Sequence, residues 1–175
     1  MRITNKYILF WGGILSNFYP YISKKIATDN VKPLNFKAEG IEWKTSEQYF
    51  MYKKAMFFGD LKTANLIKKT TRLEDAKSLG RKVKNFDETK WRNVSYQFMF
   101  EAVYAKFSQN NELKQYLLQD SFKNKHFVEA SPLDKIWGIG LHYNDKKCDD
   151  SSNWEGLNKL GQVLDDVRTK LLTNQ

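Results

Sequence analysis

The spacing of apolar and polar positions predicts short strands near both ends of the chain and a run of helices between them. Tyr7–Phe10 is a continuous apolar run, broken at Gly12–Gly13, and reads as a strand. Pro33–Phe36 and Ile41–Trp43, separated by Lys37–Gly40, read as a hairpin that delivers the chain to Thr45. From Thr45 to Gly59 (TSEQYFMYKKAMFFG) the pattern turns helical. Thr45 is an N-cap, Gln48 completes a capping box, and Gly59 is a C-terminal stop. At about 100° per residue, Phe50, Met51, Phe57 and Phe58 share one side, and Tyr49, Tyr52 and Met56 cover most of the rest. A helix that is apolar nearly all round is expected to be buried.

Asp60 caps a helix running to about Lys69, and Glu74–Lys82 forms another. Asp87 or Thr89 opens the longest, Lys90–Phe107, where Trp91, Val94, Phe98, Ala102 and Ala105 recur at three- and four-residue spacing. Asn110–Asn111 starts a helix containing Leu113, Tyr116, Leu117 and Leu118. Phe127–Glu129 is strand-like. Ser131 then reads as an N-cap with Pro132 at a first helical position. Asp145–Asn153 is a polar loop that holds Cys148. The last helix, Trp154–Leu172, is expected to bury Leu157, Leu160, Leu164, Val167 and Leu171. Gly161 on that face marks a close approach by another element, with Asn158 beside it. The resulting fold class is α+β: a single, mostly helical domain with a small sheet built from early and late segments.

Composition changes this picture in two ways. Aromatic residues make up 15% of the 175 positions, which suggests a ring-packed core or a ring-walled cleft. The formal charge of +9 invites a phosphate-bearing partner, although the excess is dispersed Lys, in pairs such as Lys24–Lys25, Lys68–Lys69 and Lys146–Lys147. The single cysteine suits a reducing compartment, so the expected location is the cytoplasm. No apolar run reaches the ~18 residues of a membrane span. Neither a metal site nor a bound cofactor is expected from two histidines and one cysteine.

The candidate chemistry rests on polar residues among rings. Glu47 and Lys54 project from the Phe50/Met51/Phe58 side, two turns or roughly 10 Å apart. A carboxylate and an amine there need a partner or a task. The plainer reading gives Glu47 to the helix dipole and lets Lys54 extend past the rings to solvent. In the loop WGGILSNFYP, the paired glycines Gly12 and Gly13 let backbone approach a ligand, and Ser16, Asn17, Phe18 and Tyr19 supply polar and aromatic surface. Asp134, three residues after Ser131, has a capping role as its plain reading; Trp137 follows at once. No P-loop, dinucleotide fingerprint or nucleophile elbow is present. Two carboxylates with aromatic surfaces suit cleavage of a sugar–base bond: the carboxylate stabilises a developing cation or activates water, and a ring such as Trp91 or Trp137 stacks the leaving base.

The segments GGILSNFYP, TSEQYFMYKKAMFFGD, AKSLGRKV, EASPLDKIWGIGL and WEGLNKLGQVLDDVR, in this order, resemble the NADAR (YbiA-like) family from about Phe10 to Leu171. Glu47 matches the glutamate of its S-E-x-Y-F motif, Lys54 the lysine that closes it, Trp91 its tryptophan and Asp134 its P-x-D aspartate. Gln48 replaces a commoner histidine and Thr45 a serine. The resemblance implies a mostly helical fold with a small sheet and an N-glycosidase. Some members are associated with early riboflavin intermediates, others with removing ADP-ribose from guanine. The implied catalytic set is Glu47, Lys54 and Asp134, with Gly12, Gly13, Ser16, Asn17, Phe18, Tyr19, Arg81, Trp91, Trp137 and Asn158 binding substrate. That substrate is an ADP-ribosylated base, with nucleic acid as its candidate carrier, or a ribosylated aminopyrimidine. Two other readings stand beside it: a sensor that binds ADP-ribose or NAD without catalysis, and a basic nucleic-acid-binding protein.

Overall fold

The computed structural model describes residues 1–19 and 34–174. Pro20, Lys24–Lys25 and Pro33, on which expectations above fall, lie outside them. In chain order the elements are β1 (Arg2–Ile3), β2 (Tyr7–Phe10), β3 (Phe36–Ala38), β4 (Ile41–Trp43), α1 (Ser46–Phe57), α2 (Leu61–Lys69), α3 (Leu73–Arg81), α4 (Glu88–Gln109), α5 (Asn111–Leu117), β5 (His126–Glu129) and α6 (Lys159–Thr173). The fold class is α+β, as the patterning predicts. Two compact units form, one from Met1–Ser16 with Asn111–Gln175, the other from Asn17–Asn110.

In the first unit, β1 runs antiparallel to β2, and β2 pairs in parallel with β5, Ile8 opposite Phe127 and Leu9 opposite Val128. All four of those side chains are fully buried, which is why these strands read as apolar runs rather than alternations. The outer edge of β5 is closed by side chains and loop. Asp165 Oδ1 accepts the Phe127 N–H at 3.3 Å, and the Asn158 amide accepts from the Glu129 N–H and donates to the Phe127 carbonyl at 2.9 and 3.0 Å. The Ile139 N–H supplies the Glu129 carbonyl. Every polar group along that edge is thereby satisfied, which blunts it against unwanted pairing.

α6 starts at Lys159, five residues later than expected. Asn158 precedes it in a left-handed conformation, and Leu157 is 59% exposed rather than buried. The N–H groups of Asn158, Lys159 and Leu160 donate to the carbonyls of Gly138, Ile136 and Trp137, so a loop caps this helix in place of a side chain. Gly161 is required as expected: a Cβ there would lie 2.1 Å from the Phe127 carbonyl oxygen. The helix expected after Ser131 does not form. Asp134 Oδ1 instead accepts the N–H groups of Ile136 and Trp137, closing a local turn that competes with helix. Cys148 sits in a three-ten turn, Lys146–Asp149, and is fully buried, not displayed on a polar loop.

In the second unit, β3 and β4 pair around Glu39–Gly40, both with positive φ, a two-residue turn that suits strand twist. The strand therefore extends two residues past Phe36, and the turn is shorter than the expected Lys37–Gly40. Thr45 accepts the Gln48 N–H, as a capping residue should, but the Gln48 side chain returns to the Lys44 N–H rather than to Thr45. Its amide also donates to the Ile67 and Thr70 carbonyls, tying the start of α1 to the end of α2. At the other end Gly59 (φ 73°) lets its own N–H and that of Asp60 reach the Met56 and Ala55 carbonyls. This is the pair of bonds that ends a helix through a left-handed glycine. α1 packs on α2, α3 and α4. Its burial is uneven: Ser46–Phe50 are buried, while Met56 and Phe57 are about two-fifths exposed, at 42% and 41%.

Candidate active site

α1 carries the polar pair inward. Glu47, in the first turn, is 6% exposed, and its N–H donates to the Asn17 carbonyl at 3.1 Å. Two turns on, Lys54 Nζ donates to the Gly80 carbonyl at 3.0 Å, at the end of α3. The same nitrogen lies 4.0 Å from the Phe86 ring centroid and 5.9 Å from that of Trp91. Burial pulls the Lys54 pKa below that of a free lysine, and the charge of Glu47 opposes part of that fall. The two groups therefore sense one another across the two turns that separate them.

Other rings pack against the two that face the amine. Trp91, from α4, lies 5.1 Å from Phe50, 6.3 Å from Phe58 and 5.9 Å from Phe98, and Phe58 meets Phe86 edge-on at 5.4 Å. Phe86 is 46% exposed, so one side of the cluster faces solvent. Among the described residues, two buried side-chain oxygens have no hydrogen-bond partner: Asn17 Oδ1 and Ser46 Oγ. Ser46 opens α1 next to Glu47, and Asn17, in the loop after β2, accepts the Glu47 N–H through its carbonyl.

The second unit thus brings together Glu47, Lys54, Trp91 and Asn17 of the sequence-derived set. Phe18 lies under the Lys77 amine and Tyr19 under that of Lys106, at 5.1 and 5.4 Å. Arg81 ends α3 and is exposed. The remaining residues of the set belong to the first unit. There Asp134 and Trp137 are joined through the turn described above, and Gly12 and Gly13 both have positive φ, 81° and 72°, with Ser16 donating its N–H to the Gly13 carbonyl. Asn158 has both ends of its amide on β5, an anchoring position. Patterning missed Gly80 and Phe86 as partners of Lys54. A glycine just before a basic pair at a helix end was the only trace of the first. Among the described residues no group of three or more His, Cys, Asp or Glu could hold a metal ion, and no helix is long and apolar enough to cross a membrane.

A buried carboxylate and a half-buried amine on one helix, beside a wall of rings, are groups suited to acid–base or nucleophilic chemistry. The chain belongs to the NADAR family, whose domain profile matches residues 9–172. It is 41% identical to protein irg-1 of Caenorhabditis elegans, over 98% of this chain and 82% of that one. It is 37% identical to an N-glycosidase of Acanthamoeba polyphaga mimivirus, over 94% and 96% of the two chains. The solved structure of YbiA from E. coli superimposes with a TM-score of 0.73 at 27% identity, covering 99% of this chain and 89% of that one. YbiA relatives also bear the name N-glycosidase, at 30% identity. These relationships put the chain among glycosidases that act on N-glycosyl compounds.

Proposed function

We propose that this protein hydrolyses the bond between a base and ribose at Glu47 and Lys54, and that its substrate is ADP-ribosylated guanine carried by nucleic acid. The observation that supports the reading most is the state of Lys54. An amine that is half-buried, hydrogen-bonded to one carbonyl and lowered in pKa is available as a neutral nucleophile more readily than a surface lysine. Its lone pair attacks the anomeric carbon as the base departs with the glycosidic electron pair and takes up a proton. The sugar ring then opens, its ring oxygen accepting a proton, to leave an imine between the sugar and Nζ. Water adds to that carbon, and collapse returns the amine and frees the sugar. Glu47, a carboxyl group at the positive end of α1, is suited to accept and return the protons. Trp91 and the exposed side of the Phe cluster offer stacking surface to the base, worth ~1–3 kcal/mol per base. The likeness of Asp134 to the P-x-D aspartate of the family supports a second carboxylate role for it.

The test has two arms. The protein is incubated with an ADP-ribosylated oligonucleotide and, separately, with an aminopyrimidine ribosyl phosphate of the riboflavin route, and released sugar is followed by mass. Release from the first arm alone is expected; release from the second alone moves the substrate to the small molecule. Borohydride present during turnover should add the mass of one reduced sugar to the peptide containing Lys54. Product without that adduct, with Lys54→Arg still active, would leave Lys54 an electrostatic contact only.

A further inference from the structure

A row of rings continues past the two that face the Lys54 amine. Phe58 lies 5.4 Å from Phe86, Phe57 5.0 Å from Phe58, and Phe98 6.0 Å from Phe57. The row stands on helices. Phe57 ends α1, Trp91 and Phe98 are two turns apart on α4, and Trp91 lies 6.4 Å from Phe57. Phe57 and Phe86 remain 41% and 46% exposed. Around Phe57 the rings meet at 84°, 68° and 51°, inclined rather than stacked, so no neighbour lies flat on its face. Single exposed apolar side chains are ordinary on a protein surface; a contiguous aromatic row is a surface for contact.

Charge narrows what that surface meets. The second unit, Asn17–Asn110, holds 18 Lys and Arg against 10 Asp and Glu, a net charge of +8. The first unit holds 11 against 10, which leaves +1. The excess that looks dispersed along the sequence is therefore concentrated in the unit that carries the rings. An apolar peptide gains nothing from it, and a second copy of this chain would be repelled by it. A single-stranded polynucleotide gains twice, through its phosphates in the positive field and its bases on the rings. A duplex, with its bases stacked on one another, gains only through its phosphates.

We propose that Phe57 and Phe98 form a platform on which the unpaired base next to the modified nucleotide stacks, while the modified nucleotide lies at Lys54. The protein thereby selects single-stranded over duplex nucleic acid. This rests on the reading that nucleic acid carries the substrate, and it adds the stretch of strand beyond the modified base. Phosphate contacts weaken steeply with salt and ring stacking does not, so the two contributions separate in a salt series.

The test measures fluorescence anisotropy of a labelled, unmodified single-stranded oligonucleotide of mixed sequence, and of its duplex, from about 50 to about 200 mM salt. Phe57→Leu/Phe98→Leu keeps apolar volume and removes both rings, whereas Phe57→Tyr/Phe98→Tyr keeps them. The Leu variant should bind the single strand about tenfold or more weakly than the wild type at every salt concentration, and the Tyr variant should match the wild type. Duplex binding should be weaker and alike for all three. Phe57→Leu alone, at the exposed end of α1, gives the same comparison on a smaller scale if the double variant melts early. Equal single-strand affinity of wild type and Leu variant overturns the proposal and leaves binding to charge. So does no single-strand binding by the wild type at the lowest salt, or a duplex bound as tightly as the single strand. Sedimentation showing a dimer that excludes the oligonucleotide assigns the rings to a second copy and also overturns it. The probe carries no ADP-ribose, so the glycosidase reading is judged separately. Ring-dependent binding without hydrolysis of an ADP-ribosylated oligonucleotide keeps the platform and sinks that reading, and hydrolysis with ring-independent binding does the reverse.

Discussion

Lys54 and Gly80 are joined by a 3.0 Å hydrogen bond from the amine of α1 to the last turn of α3, and Gly80 packs directly against the Met51 side chain of α1. A Cβ there would stand 2.0 Å from Met51 Sδ and 2.8 Å from its Cγ. Met51 lies on α1, three residues before Lys54, so a shift of α3 that relieves the clash moves the acceptor of the amine, whereas a turn of the flexible Met51 side chain does not. Gly80→Ala should therefore destabilise the fold by ~1–3 kcal/mol, as overpacking does, and lower turnover further than its loss of stability explains. Met51→Ala in the same background should restore both. Thermal melts and rates on the single and double variants check this; a single variant with full activity would detach Gly80 from the site.

Glu47→Gln should fold normally, because the residue's N–H bond to the Asn17 carbonyl is a backbone contact. Its turnover should fall by ~10²–10⁴-fold, the usual effect of losing a positioned acid–base group. A second signature follows from charge. Glu47 raises the Lys54 pKa against the lowering by burial, so its loss leaves the amine easier to deprotonate. The acid limb of the residual pH–rate profile should move to lower pH. A profile that stays in place with near-normal rates would return Glu47 to a purely structural role.

Asp134 allows a clean separation of structure from chemistry. Its Oδ1 accepts two backbone N–H groups, from Ile136 and Trp137, at 2.9 and 2.7 Å. Asparagine keeps that oxygen, and alanine does not. Asp134→Asn should keep its melting temperature and lose turnover, whereas Asp134→Ala should lose both, with a stability cost of ~1 kcal/mol typical of a missing cap. Equal rates for wild type and Asp134→Asn would leave the residue only its turn.

Lys106, on α4, is 2% exposed between the rings of Tyr19 and Phe107. Burial lowers its pKa from 10.5 to about 7. Between those two pH values the unfolded chain binds the proton that the folded chain has released, so stability should rise as pH rises from about 7 to about 10.5. Below that window the folded state carries the full penalty of a buried ammonium. Lys106→Met should raise the melting temperature at pH 7, by less at pH 10, and flatten the pH dependence. Chemical denaturation at several pH values measures the slope directly.

Local rules carried much of this architecture. Thr45, Asp60 and Asp87 cap the helices that their positions predict, and Gly161 makes the close approach that its place on an apolar face requires. What patterning missed was tertiary. Trp154–Leu157 extends the apolar spacing of α6 upstream, yet the N–H groups of Glu155 and Leu157 donate to the carbonyls of Ile139 and Lys135 instead of waiting for a helix. Phe86 stands alone among polar neighbours, in no periodic pattern, and acquires meaning only where folding sets it over Lys54. For Glu47 and Lys54 the shared face of one helix was readable. The carbonyl and ring that hold the amine were not, because they come from an element some thirty residues further on in the sequence.

The parallel pairing of β2 with β5 has a consequence for how the molecule is made. β2 leaves the ribosome early, but its partner is not synthesised until the whole of the second unit, Asn17–Asn110, has been made. That unit is continuous in sequence, and its helices and hairpin can collapse as they emerge. The first unit cannot close its sheet until His126–Glu129 appears, nor cover the edge of β5 until Asn158 and Asp165 follow. Until then Ile8, Leu9 and Phe10 are an apolar strand with one free edge, the stage of synthesis at which this chain is most exposed to misassociation.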